Sequence, residues 1–126
     1  MTVRELVGGE VVWIDQTRSL REAIQLMVSS DIGALAVETD GQLEGIITER
    51  DVLYACSDAV DLDTTQVSVC MTSSPDTLDP DMSVEAAADW LLAAGYRHLP
   101  VVDEGRILGM VSIKDILWAL TGPVQP

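Results

Sequence analysis

The 126-residue sequence predicts an α+β fold: two β-α-β-β-α units in tandem, packed sheet to sheet about a pseudo-two-fold axis. Three observations carry the prediction. The chain aligns with itself, without a gap, when Val67 is set on Val3, so that Asp15 meets Asp79, Leu35 meets Leu99, Gly45 meets Gly109 and Asp51 meets Asp115. Each copy carries one amphipathic helical stripe behind a serine, followed by two short apolar segments separated by an acidic residue and a glycine. A unit of this size has too little interior to cover two helices and a sheet alone, so two copies must share a core.

Taken in order, each copy opens with a short lead-in and then a short strand, expected around Val11–Ile14 and again at Asp76–Leu78. A helix follows, with Ser19 as N-cap and Glu22 spaced to close a capping box. Leu20, Ala23, Ile24, Met27 and Val28 form its apolar stripe, repeated by Val84, Ala87, Ala88, Leu91 and Leu92 behind Ser83. Two strands, Ala34–Val37 and Leu43–Thr48, flank Asp40-Gly41, a pair that takes the positive φ angles of a tight hairpin. The second copy has Leu99–Val102, Glu104-Gly105 and Ile107–Ser112. The near-continuous apolar character of these strands predicts cover on both faces. A last helix closes each copy on Val52, Leu53 and Cys56, or on Ile116, Leu117, Ala119 and Leu120. The expected boundaries are residues 1–57 for the first domain, 58–66 for an acidic connector, 67–121 for the second domain and 122–126 for a tail. The connector's aspartates suit turns and caps and lack the spacing of a calcium loop. Gly122 and the prolines after it stop the last helix.

Composition narrows the class. Apolar residues make up 48% of the chain and phenylalanine is absent, so the core must be aliphatic. The apolar runs fall well short of the roughly 18 residues of a membrane span. Met1–Leu6 lacks the basic patch and apolar run of a signal peptide, and an intracellular, cytoplasmic protein is expected. Cys56 and Cys70 occupy non-equivalent positions and belong to no metal-binding pattern, which predicts buried free thiols. A formal charge of −14 disfavours nucleic acid and anionic membranes as partners. Of the seven cations, Arg50 and Lys114 fall inside the repeated motif described next and Arg97 adjoins the one histidine, His98, a placement that points to a small anionic ligand or to local ion pairing.

That motif is Gly45-Ile46-Ile47-Thr48-Glu49-Arg50-Asp51, repeated as Gly109-Met110-Val111-Ser112-Ile113-Lys114-Asp115. Thr48 and Asp51, like Ser112 and Asp115, have the spacing of a helix N-cap and its third residue, and capping alone would require nothing more. The same groups also form a nucleoside-phosphate set. An ionised Asp only accepts hydrogen bonds and so suits the vicinal hydroxyls of a ribose, while Arg50 or Lys114 beside it suits a phosphate. Gly45 and Gly109 permit close approach of a ligand or of another chain segment. Capping and binding are compatible. No Ser-His-Asp set, activated cysteine or metal cluster is legible, and with one histidine in the chain an enzyme is not expected.

With Asp31-Ile32-Gly33-Ala34-Leu35-Ala36-Val37 and Tyr96-Arg97-His98-Leu99-Pro100-Val101-Val102 added to the motif, the chain resembles a CBS-domain pair, or Bateman module, over nearly its whole length. The resemblance implies a regulatory, non-catalytic module that binds adenosine-containing ligands, chiefly AMP, ADP or ATP, in clefts between the two units; some relatives take S-adenosylmethionine or NAD instead. It implies ligand-binding roles for Thr48, Arg50, Asp51, Arg97, His98, Pro100, Ser112, Lys114 and Asp115, with no required cofactor. It also implies a homodimer and a separate, unknown protein that reads the ligand state. The alternative is an interaction or dimerisation module with empty clefts. Two departures matter: Ala36 stands where the second copy has Pro100, and Gly33-Ala34 stands where it has Arg97-His98. The two sites should therefore be unequal.

Overall fold

A computed structural model describes residues 1–7 and 11–122, which fall into two compact units. The first is Val11–Pro75; the second joins Met1–Glu10 to Asp76–Pro126. The prolines expected to follow the last helix lie outside the described residues.

In the first unit β1 (Trp13–Asp15), α1 (Leu20–Ser30), β2 (Ala34–Thr39), β3 (Gln42–Thr48), α2 (Glu49–Ser57), α3 (Val67–Cys70) and β4 (Thr72–Ser73) follow one another. The sheet order is β1-β2-β3-β4, with β1 parallel to β2 and the other pairs antiparallel. The β2–β3 hairpin turns on Asp40 and Gly41 at φ 51° and 78°, as the sequence predicts. Ala34–Val37 of β2 are all buried, so both faces of that strand are covered.

The second unit repeats the plan with a 3-10 turn at Val3–Leu6, α4 (Val84–Ala94), β5 (His98–Asp103), β6 (Arg106–Ser112) and α5 (Ile113–Thr121). Its first strand is shorter than expected. In place of a strand at Asp76–Leu78 there is one bridge, with Leu78 N–H donating to the Pro100 carbonyl at 2.8 Å and the Leu78 carbonyl accepting Val102 N–H at 3.1 Å. Pro75 and Pro80 bracket the segment, and neither can donate to a ladder.

The lead-ins change places between the copies. Val3 is fully buried in the core that holds Val84, Leu91, Leu99, Val101 and Val111. Val67, its counterpart in the repeat, is fully buried among Leu20, Met27, Leu35, Val37 and Ile47. The anchoring bonds are equivalent too: Val67 N–H donates to the Arg18 carbonyl at 2.8 Å, and Val3 N–H to the Met82 carbonyl at 3.0 Å. Each burial of a valine in this way stabilises its unit by about 1.5–3 kcal/mol. As the absence of phenylalanine requires, both cores are aliphatic.

Four expectations are corrected. Val28 and Leu92, placed on the apolar stripes, are 76% and 74% exposed, because a helix laid on a sheet buries Leu20, Ala23 and Met27, and Val28 lies a further 100° round. On α2 the inward residue is Ala55, so Leu53 and Cys56 face outward, and Cys56 is an exposed thiol rather than a buried one. On α5 the buried residue is Ile116, which leaves Leu117 and Leu120 exposed. Ser19 Oγ does accept Glu22 N–H at 3.2 Å, but Glu22 does not close the box, and its carboxylate lies 3.7 Å from Arg18 instead.

Candidate functional site

The site is best seen where each hairpin's second strand becomes a helix. At Thr48, between β3 and α2, the chain is still extended, with φ −119° and ψ 163°. Thr48 N–H donates to Asp51 Oδ2 at 2.9 Å, Asp51 N–H donates to Thr48 Oγ1 at 3.2 Å, and the Thr48 hydroxyl donates to Asp51 Oδ2 at 3.1 Å. At the β6–α5 junction Ser112 N–H donates to Asp115 Oδ2 at 2.9 Å and Asp115 N–H to Ser112 Oγ at 3.2 Å. Both are complete capping boxes, with Asp in place of the usual Glu or Gln.

Capping leaves part of each set unused. Asp51 and Asp115 spend only Oδ2 on the box; neither Oδ1 bonds to another described residue. The Ser112 hydroxyl proton likewise has no acceptor among the described residues, whereas that of Thr48 is held by Asp51. All four side chains are half-buried, reachable from solvent but partly screened from it.

The junction is tied to the start of the preceding strand. Glu49 N–H donates to the Gly33 carbonyl at 2.9 Å, and Ile113 N–H to the Arg97 carbonyl at 3.0 Å. His98 lies directly across the ladder from Ser112, as Ala34 does from Thr48. The second unit thus gathers Arg97, His98, Ser112, Lys114 and Asp115 at one place, and the first gathers Thr48, Arg50 and Asp51. Pro100, also expected at the site, is buried in β5, where its carbonyl is taken by Leu78.

The cations separate into two groups. Arg4 pairs with Asp81 and Asp103, Arg18 with Glu22, and Arg21 with Asp63. Arg50, Arg97 and Lys114 are exposed and, with Arg106, have no carboxylate in salt-bridge reach among the described residues. Among the described residues, local ion pairing therefore does not account for the cations of the motif. Nearby, burial and then the carboxylates of Asp51 and Asp58 push the Cys70 thiol above its ordinary range, so it stays protonated and weakly nucleophilic. Among the described residues no group of three or more His, Cys, Asp or Glu is placed to hold a metal ion.

Gly45 and Gly109 serve the chain rather than a ligand. A β-carbon on Gly45 would stand 2.5 Å from the Thr72 carbonyl oxygen, and one on Gly109 would stand 2.8 Å from Val7 Cγ1. Sequence reasoning quoted Glu49 in the motif but gave it no part in the site, although the repeat sets it against Ile113, and Gly33 against Arg97. That reversal of charge in one register was the available signal.

The chain belongs to the CBS domain family, whose domain matches residues 3–58 and 66–122. A CBS domain-containing protein of Bacillus subtilis, YhcV, is 28% identical over 91% of this chain and 82% of its own length. The solved CBS domain structure NE2398 is 34% identical, with a TM-score of 0.92, covering 97% of this chain and 98% of that one. The CBS domain protein PAE2072 of Pyrobaculum aerophilum, solved in complex with AMP, is 25% identical with a TM-score of 0.84, over 98% of this chain and all of that one. No described helix is long and apolar enough to cross a membrane.

Proposed function

We propose that this chain is a non-catalytic regulatory module of the cytoplasm that binds adenosine-containing ligands of the AMP, ADP and ATP class at its two strand-to-helix junctions. One observation carries the reading: each junction holds an aspartate with one oxygen outside its cap, beside a cation with no carboxylate partner among the described residues. A carboxylate oxygen takes a ribose hydroxyl, and the guanidinium or ammonium takes phosphate. The AMP held by PAE2072 supports the same chemical class. Ligand binding would shift an equilibrium between two states of the module in proportion to its differential affinity, and a separate protein would read the result.

Thermal unfolding with AMP, ADP, ATP, S-adenosylmethionine and NAD tests the reading. A ligand at a hundred times its Kd adds about 2.7 kcal/mol to stability. Native mass spectrometry of freshly purified protein would weigh a retained ligand and count subunits. If none of the five compounds raises the melting temperature at millimolar concentration, adenosine binding is refuted.

A second reading, a dimerisation or interaction module without nucleotide, draws on a different observation. Leu53 and Tyr54 on α2 are 70% and 59% exposed, and their counterparts Leu117 and Trp118 on α5 are 56% and 55% exposed. Outward apolar side chains repeated in this way favour a homodimer. Leu53→Glu with Leu117→Glu should then yield a monomer in sedimentation, whether or not ligand binding persists.

A further inference from the structure

We propose that the two junctions differ in their preference for a 5′ phosphate: the second prefers a phosphorylated nucleotide, and the first prefers an adenosine ligand whose 5′ substituent carries no negative charge. The proposal rests on the adenosine-binding reading above and names the discriminating positions within it. They are residues 33 and 49 in the first unit and residues 97 and 113 in the second.

The backbone puts each pair side by side in the same way. The first amide of the helix donates to the carbonyl of residue 33 or 97, at 2.9 Å and 3.0 Å. What fills the two places is reversed. In the second unit the strand side contributes the guanidinium of Arg97 and the helix side the uncharged Ile113. In the first unit the strand side is Gly33, and the Glu49 carboxylate leans over it: a β-carbon at residue 33 would stand 3.1 Å from Oε1 and 3.2 Å from Cδ of Glu49. An acid therefore covers the space where a side chain of the Arg97 type would start.

The local charge follows. At the first junction Glu49 and Asp51 outnumber Arg50 by one; at the second, Arg97 and Lys114 outnumber Asp115 by one. A phosphate monoester carries close to two negative charges at neutral pH. Moving it from the second setting to the first replaces an attraction by a repulsion, between exposed cations and Glu49 and half-buried aspartates, which is worth roughly tenfold in affinity. A neutral or cationic 5′ group meets no such penalty at the first junction and loses little there. The Ser112 hydroxyl proton, which has no acceptor among the described residues, adds a donor for an anion on the second side, whereas the Thr48 proton is held by Asp51.

Amide resonances read each junction separately, so the test is a heteronuclear NMR titration of the full chain with adenosine and, in parallel, with AMP. The expected result is that AMP moves the amides of Arg97, Ser112 and Asp115 at concentrations roughly tenfold below those that move Gly33, Thr48 and Asp51. Adenosine shows no such preference for the second junction. Glu49→Gln keeps the shape and removes the charge; it should lower the AMP concentration needed at the first junction about tenfold and leave adenosine unchanged. Arg97→Gln should raise the AMP concentration needed at the second. Equal AMP affinity at both junctions, unmoved by Glu49→Gln, would overturn charge selection while leaving the adenosine reading standing. A titration in which neither compound moves any of these amides would remove the adenosine reading and this proposal with it.

Discussion

Adding one methyl group to each of the twin glycines should give unequal costs, and the inequality follows from what each methyl meets. In an open strand, Gly→Ala is favourable by about 0.5–1 kcal/mol, because alanine has less backbone freedom to lose. Here Gly45 sits in β3 opposite Ser73 of β4, and its new β-carbon would meet the Thr72 carbonyl oxygen at 2.5 Å and Met71 Sδ at 2.9 Å. A carbonyl within a paired strand cannot rotate away, so the strand pair must part. Overpacking costs about 1–3 kcal/mol, and a contact with fixed main chain belongs in the upper part of that range, about 2–3 kcal/mol, which leaves Gly45→Ala destabilising by about 1–2.5 kcal/mol. At Gly109 the nearest atoms are Val7 Cγ1 and Cβ, at 2.8 Å and 2.9 Å; Cγ1 can turn away, and Cβ moves only with the main chain, which at Val7 belongs to no helix or strand. Gly109→Ala should therefore cost about 1 kcal/mol or less. Urea unfolding followed by circular dichroism measures both, and a double-mutant cycle separates the causes. Gly109→Ala should become cheaper in a Val7→Ala background, whereas Gly45→Ala should keep most of its cost in a Met71→Ala background because the carbonyl remains. If Gly45→Ala were neutral or stabilising, β4 would not lie against β3, and the account of why this glycine is needed would fail.

Three further outcomes follow from the same geometry. Thr48→Ala should destabilise by about 1 kcal/mol and by more than Ser112→Ala, since Thr48 Oγ1 both accepts and donates within its cap and Ser112 Oγ only accepts; thermal melts of the two variants compare them directly. Glu104 holds φ 50° in the β5–β6 turn, where the chain prefers Asn, so Glu104→Asn should raise stability by about 0.5–1 kcal/mol in the same assay. Iodoacetamide at pH 8 should alkylate exposed Cys56 well before Cys70. The Cys70 thiol is held protonated by burial and by Asp51 and Asp58, so its folded-state advantage is complete below the ordinary thiol pKa and is lost as pH rises through its own raised value. Its labelling should accordingly accelerate at higher pH, and urea should erase the difference between the two cysteines; equal rates in the folded protein would contradict the burial.

Most of the fold was legible because two copies of one pattern checked each other. A hairpin at Asp40-Gly41 is a reasonable reading alone, and Glu104-Gly105 at the same place in the repeat makes it firm. What could not be read was where the lead-ins go. Val3 and Val67 look alike to any local pattern, and exchanging them between units leaves every periodicity unchanged, so only tertiary packing decides it. Similarly, the stripe on α1 predicts which residues are apolar but not how much of the stripe the sheet covers, and Val28 and Leu92 fall on its uncovered edge. At the junctions, the capping boxes followed from spacing. The overlap of Glu49 with Gly33 did not, because it depends on where one side chain leans after the backbone is in place.

That difference decides which substitutions can speak about function. Asp51 and Asp115 close a helix cap with Oδ2 and keep Oδ1 without a partner among the described residues, so alanine at either position removes a backbone partner together with any ligand contact. Loss of binding in Asp51→Ala would therefore not distinguish a missing contact from a frayed α2, unless the melt of the unliganded variant is measured beside it. Glu49 and Arg97 carry no such load: their main chains make the tie between strand and helix, and their exposed side chains are free to differ between the copies. Folding constrains Thr48, Asp51, Ser112 and Asp115 to stay as they are, so a duplicated unit has to express any difference in ligand preference around them. Under the charge-selection proposal, positions 33, 49, 97 and 113 are where this chain does so, with the charge reversed and the backbone tie the same in both copies.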